Sequence, residues 1–208
     1  MRRALHRPFI SLCIALISCV SSSGFAAEKK TWHTVDSISF VEDENNDGDS
    51  FHVKDGKKTF FVRLYYVDAP ETKLTYPERV REQSVHFGIT LDETLKVGEQ
   101  ARVRVRELLS KPFKIHTRWA SGAGRGKLPR YLALVEVDGL DLGELLIKEG
   151  LARSKGTIVG LPGGEKAAAA AVRLDALESE AKAQAVGAWS LSKTPAPAAA
   201  TKQTSENP

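Results

Sequence analysis

Two pairs of carboxylates, one at each end, and an arginine fall within one short stretch, residues 47–71, DGDSFHVKDGKKTFFVRLYYVDAPE. Asp47 and Asp49 precede an alternating apolar run, Asp68 and Glu71 close it, and Arg63 lies within it. Carboxylates at the ends of paired strands can converge on a hard cation, which takes oxygen ligands from carboxylates and backbone carbonyls. Asp49, Asp68 and the Ala69 carbonyl make such a partial shell for Ca2+. Glu71, near that ion, is placed to accept a proton from an attacking water. Arg63, together with Arg130 farther along the chain, offers guanidinium forks to phosphate oxygens as charge grows in a five-coordinate transition state. These residue types point to metal-dependent hydrolysis of a phosphodiester.

Each half of the stretch also has a plainer reading. Asp43-x-Asn45-x-Asp47-Gly48 matches the opening of an EF-hand loop, but the twelfth position is Lys54 where glutamate is needed, and the flanks are strand-like. An acidic Asp-Gly turn is the better account of Asp47-Gly48 alone. Val67-Asp68-Ala69-Pro70-Glu71 is harder to dismiss. A strand end needs neither carboxylate, and Pro70 stiffens the bend between them.

The elements that must position these groups read as mainly β with α. Residues 32–41 carry Val35, Ile38 and Phe40 at strand spacing, 51–54 resume a strand, Asp55-Gly56 marks a hairpin turn, and 59–67 make a long β-rich run. Residues 72–96 show no clear period and read as a long connection, either a lid or an insertion. A helix is expected over 98–110, with Ala101, Val105 and Leu108 on one face. Fourth and fifth strands follow at 113–119 and 131–137. Asp141 and Glu144 have capping-box spacing for a short helix ending near Gly150. An alanine-rich helix is expected over 165–186, with Trp189 anchoring its end. The order predicts a five-stranded OB-fold β-barrel with about three helices, occupying residues 32–190. An α+β arrangement without closure is the alternative.

Residues 1–27 place Arg2, Arg3 and Arg7 before an apolar run that ends in small residues, the order of a secretory signal. The expectation is a secreted or periplasmic protein. Leu16-Ile17-Ser18-Cys19 loosely resembles a lipobox, and in that alternative Cys19 is lipidated and the chain is held at the envelope membrane. Both cysteines, Cys13 and Cys19, lie in this leader, so its removal leaves no disulfide. The leader also inflates the net charge of +4: without it Lys+Arg falls from 30 to 27 against 26 acids, leaving +1. Distribution says more than the total. Lys111, Lys114, Arg118, Arg125, Lys127 and Arg130 form a strip free of acids, which either faces phosphates or is an ordinary solvated surface. The Pro/Ala/Thr-rich residues 191–208 offer little to bury and read as a disordered tail.

Several short motifs, in order, resemble the staphylococcal nuclease (thermonuclease) family over roughly residues 35–190. They are DGDS at Asp47, FVRLYYVDAPETK from Phe61, PRYLALVEVDG from Pro129, LIKEGLA from Leu146, and AWS around Trp189. The resemblance implies an OB-fold barrel and a calcium-dependent endonuclease acting on DNA and RNA. By position, it implies that Asp49 and Asp68 are calcium carboxylates and that Glu71 is the general base. Arg63 and Arg130 are similar to phosphate-binding arginines, and Lys127 to a lysine that contacts the nucleotide. The substrate is expected to be single-stranded or unpaired and the protein a monomer, with no protein partner implied. Four departures stand out. Ala69 replaces a common threonine, Leu128 replaces a nucleotide-contacting tyrosine, residues 154–158 lack an expected aromatic, and the insertion 72–97 has no counterpart of that length.

Overall fold

The computed structural model describes residues 31–124 and 128–193. The expected leader (1–27), Lys127 and all of the expected tail beyond Lys193 lie outside the described residues.

The first expected strand is two. β1 (His33–Val35) and β2 (Ile38–Val41) are separated by Asp36 and Ser37, and they pair with different partners. β3 (Ser50–Asp55) and β4 (Lys58–Leu64) form the expected hairpin, with Asp55 opposite Lys58 and Gly56 at a positive φ of 55°. The chain then breaks at Tyr66, whose φ of 65° no extended strand tolerates, and β5 (Val67–Asp68) leaves the main sheet. β6 (Phe113–Ser121) and β7 (Arg130–Val137) run antiparallel, with an irregular register between Thr117 and Ser121. Asp138 and Gly139, both at positive φ, turn β7 into β8 (Leu140–Asp141), the backbone that Asp-Gly favours in a two-residue hairpin. β9 (Arg153–Ser154) pairs with β5, placing Arg153 opposite Asp68.

The ladder runs β1-β6-β7-β4-β3-β2, with β8 added to β7 and β4 parallel to β7. The described residues thus hold more than five strands, and the hydrogen-bonded path is open where a closed barrel was expected. The reason is local. The break at Asp36–Ser37 puts the two halves of one strand at opposite ends of the ladder, so continuity between those ends runs through covalent chain instead of hydrogen bonds.

The larger correction concerns residues 72–96, which are helical over most of their length. α1 (Pro77–Phe87) opens with proline at its first position and ends on Gly88 at φ 70°. α2 (Leu91–Leu108) begins well before the expected Gly98, on a reciprocal capping box of Thr90 and Glu93. Val97, Ala101, Val105 and Leu108 bury its inner face. α3 (Leu142–Lys148) is capped by Asp141, which accepts from the Glu144 amide at 3.0 Å. α4 (Ala167–Ala183) is the alanine-rich helix, and Trp189 beyond it is buried with its ring 4.8 Å from Phe87. The described residues therefore contain four α-helices where about three were expected. One apolar core joins Phe51, Val53, Val62 and Leu64 of the sheet to Val97 and Ala101 of α2 and Leu142 and Leu146 of α3. Among the described residues no helix is long and apolar enough to cross a membrane.

Candidate active site

The turn before β3 is built by its own side chains. Asp43 accepts from the amides of Asn45, Asn46 donates to the Val41 carbonyl, and the Asn46 side-chain oxygen receives the His52 N–H. Asp47 Oδ1 accepts from the backbone N–H groups of Asp49 and Ser50 at 3.1 and 2.6 Å. No helix flanks the turn, so the EF-hand reading fails and residues 43–47 serve as scaffold. Asp49 is buried, and its carboxylate accepts from Ser50 Oγ at 2.8 Å and the Ala69 N–H at 3.3 Å. This ties the first acidic cluster to the second.

Arg63 on β4 points at both clusters, with Nη2 3.5 Å from Asp49 Oδ2 and 3.9 Å from Asp68 Oδ1. Parallel pairing of β4 with β7 sets Phe61 opposite Arg130, and the Arg130 guanidinium lies 4.9 Å from the Phe61 ring centre. Gly122 stands between the two arginines. A Cβ there would lie 3.0 Å from Arg130 Cγ and 3.3 Å from Arg63 Cβ, so only a bare backbone lets them approach this closely. Arg63, Arg130, Glu71 and Asp47 line one cleft of about 680 Å3, shared with His52, Phe61, Tyr76 and Leu128. Of the expected site residues, Lys127 alone lies outside the described residues.

Helix α1 supplies what the sequence did not reveal. Gln83, fully buried, donates to the Ala69 carbonyl at 3.0 Å and to Asp68 Oδ2 at 3.2 Å, and accepts the Glu71 N–H at 3.0 Å. Arg79 bridges Asp68 Oδ1 at 2.8 Å and Glu71 Oε1 at 2.6 Å. From β9, Arg153 reaches Asp68 Oδ2 at 2.7 Å and Glu82 at 2.8 Å. Tyr76, just before α1, is 44% exposed and puts an aromatic ring in the cleft.

Crowded carboxylates leave an electrostatic mark. Burial pushes the Asp47 carboxyl well above its usual range, and the charges of Asp49 and Glu71 push it further. For Arg79, burial opposes the charge, but Asp68, Glu71 and Asp49 outweigh it and raise its pKa above the ordinary value. His52, facing the same cleft, is lowered by burial and by Arg130, against the pull of Asp43.

The donors suit a hard cation by type: two carboxylates and a carbonyl, with guanidinium groups of Arg63 and Arg79 standing where positive charge is wanted. Asp49, Asp68 and Ala69 would hold it. Among the described residues, however, no three acidic or histidine side chains are grouped closely enough to bind a metal ion as they stand. Two members of the expected basic strip are ion-paired. Lys111 pairs with Asp138 at 2.6 Å and Lys114 with Glu136 at 3.4 Å, which leaves Arg130 as its member in the cleft among the described residues.

The family model described as Staphylococcal nuclease homologue matches residues 61–191. The chain belongs to that family. The matched stretch contains Arg63, Asp68, Ala69, Glu71 and Arg130, whereas Asp49 precedes it. A curated relative of the chain is Endonuclease YncB of Bacillus subtilis (strain 168), 34% identical over 116 residues, which is 56% of this chain and 47% of that protein. The chain thus spans about half the length of the relative it matches. Family membership agrees with the resemblance carried by the FVRLYYVDAPETK and PRYLALVEVDG motifs, which lie inside the matched stretch, whereas DGDS precedes it.

Proposed function

We propose that the chain is an exported, calcium-dependent endonuclease that hydrolyses phosphodiester bonds of DNA and/or RNA. The observation that carries this is the placing of Arg63 and Arg130 on either side of Gly122, in the cleft that also holds Glu71. Two guanidinium forks can grip the non-bridging oxygens of one phosphate and strengthen their hold as the phosphorus becomes five-coordinate. Glu71 takes a proton from a water as its oxygen bonds to phosphorus, and the leaving oxygen, once its bond to phosphorus breaks, is protonated from solvent. Calcium held by Asp49, Asp68 and the Ala69 carbonyl supplies further positive charge to the phosphate when bound. Tyr76 offers a face on which a base of unpaired nucleic acid can stack, a role for which the sequence suggested no residue.

A second reading, a binding module that no longer cuts, is favoured by one observation: both Asp68 oxygens and the Ala69 carbonyl already have protein donors. Mixing purified protein with single-stranded DNA and RNA, with calcium or with a chelator, separates the two. Calcium-requiring cleavage supports the nuclease, while binding without cleavage under any divalent ion leaves only the module.

A further inference from the structure

Three guanidinium groups surround Asp68, and they are not equivalent. Arg153 is nearly sealed, with 4% of its side chain exposed, and is pinned by Glu82 as well as by Asp68. Arg63 stands off at 3.9 Å. Arg79 makes the closest contact with Oδ1, at 2.8 Å, yet its side chain is 40% exposed and lines the open cleft. Among the described residues its ion pairs are with two carboxylates, Asp68 and Glu71, which belong to the proposed cation site and the proposed base. Its departure into the cleft returns the guanidinium to water but breaks ion pairs to carboxylates that are only 5% and 19% exposed, a loss offset when another cation takes its place at those oxygens. Departure of Arg153 would leave an uncompensated buried charge, which is far more costly.

Charge balance adds a second strand to the argument. Asp49, Asp68, Glu71 and Glu82 are met by Arg63, Arg79, Arg153 and Lys155, so side chains already offset the charge of these four carboxylates, with Asp47 beside them. A divalent cation entering beside Asp68 Oδ1 meets the Arg79 charge within contact range, where like charges repel strongly in a partly buried site.

Building on the nuclease reading above, we propose that Arg79 is a resident counter-cation that competes with the divalent metal for Asp68 and Glu71, so that metal binding and release of Arg79 into the cleft are one exchange. Helix α1 thereby sets the metal affinity of the site. Arg79 acts through Asp68 and Glu71 and is a positioning residue in this role.

The test reads calcium binding and needs no cleavage. Calorimetric titration of calcium into the wild type, Arg79→Gln and Arg79→Lys, each checked for an intact fold by circular dichroism, compares the charge directly. Arg79→Gln is expected to bind calcium about tenfold more tightly or better, because a positive charge next to the site is gone. Arg79→Lys, which keeps the charge but loses the fork that bridges Asp68 and Glu71, is expected to bind calcium with an affinity between those of wild type and Arg79→Gln. Equal or weaker calcium binding by Arg79→Gln overturns the proposal. Should that variant fail to fold, the Arg79 Nε–H resonance of the wild type decides. It is expected to shift and lose exchange protection at saturating calcium, and an unchanged resonance overturns the exchange. A protein that cuts nothing but shows tighter binding in Arg79→Gln retains this inference and loses the nuclease reading; one that cuts without that tightening does the reverse.

Discussion

The side-chain oxygen of Gln83 accepts the backbone N–H of Glu71 at 3.0 Å, and its amide nitrogen turns to the Ala69 carbonyl on the other side of Pro70. One buried glutamine of α1 thus clamps the bend between Asp68 and Glu71, the proposed metal carboxylate and the proposed base. Its orientation follows from its three partners, since only this placement of oxygen and nitrogen satisfies all of them.

Gln83→Leu fills similar volume but leaves the Glu71 N–H and the Ala69 carbonyl without that partner. Each unsatisfied buried group costs about 1–3 kcal/mol, so urea unfolding should show a loss on the order of 3 kcal/mol. Catalysis should fall as well, because Glu71 is no longer fixed.

Gly98 lies inside α2, where alanine would ordinarily stabilise a helix by about 1 kcal/mol. Here a Cβ would sit 2.3 Å from the Glu71 carbonyl oxygen and 2.6 Å from that of Pro70. Overpacking of this kind costs about 1–3 kcal/mol, and since the obstacle is backbone the penalty should win. Gly98→Ala is expected to lower the melting temperature and to displace Glu71; a rise in melting temperature would show that the bend yields.

Why α1 escaped the sequence reading is visible in its buried face. That face is Val80, Gln83, Ser84 and Phe87, half of it polar, so the apolar period that betrays most helices is absent. Its punctuation was legible all the same: Pro77 at the first position, Gly88 at the end, and Thr90 three residues before Glu93. Missing the helix meant missing Arg79 and Gln83. By contrast, Arg63, Asp68 and Glu71 were readable because carboxylates and an arginine bordering an apolar strand serve no packing purpose there. The hairpin at Gly56 and the turn at Asp138-Gly139 were readable from Asp-Gly chemistry. Closure of the sheet was not readable, because the break at Asp36–Ser37 depends on which partner each half-strand finds.

Asp141 gives a pH dependence of defined sign. Burial raises its carboxyl to about 6, with Glu144 adding to the rise and backbone N–H bonds opposing it. A pKa raised on folding contributes stability that is whole below the unfolded value near 4 and is lost as pH climbs through about 6. Asp141→Asn keeps a side-chain oxygen for the Glu144 N–H and removes the titration. The variant should be more stable than wild type at pH 8, by at most about 2–3 kcal/mol, and should lose this part of the slope between pH 4 and 6 in denaturant titrations.

Tyr76 is an exposed aromatic lining the cleft, beside Phe61, over whose ring Arg130 lies, and it is the residue proposed to stack on a base. Stacking contributes about 1–3 kcal/mol per base, so Tyr76→Ala should weaken binding of a short single-stranded oligonucleotide by about fivefold to a hundredfold. Binding to duplex DNA, whose bases are not free to stack, should change less. Fluorescence anisotropy with both ligands checks the difference.

The central claim is that Glu71 takes the proton from the attacking water. Single-turnover cleavage of a single-stranded oligonucleotide by Glu71→Gln, at saturating calcium and beside the wild type, tests it most directly. The substitution keeps the side chain's shape and removes its basicity, so the rate should fall by about 10²–10⁴ while oligonucleotide binding persists. A rate within a few-fold of wild type would contradict the assignment.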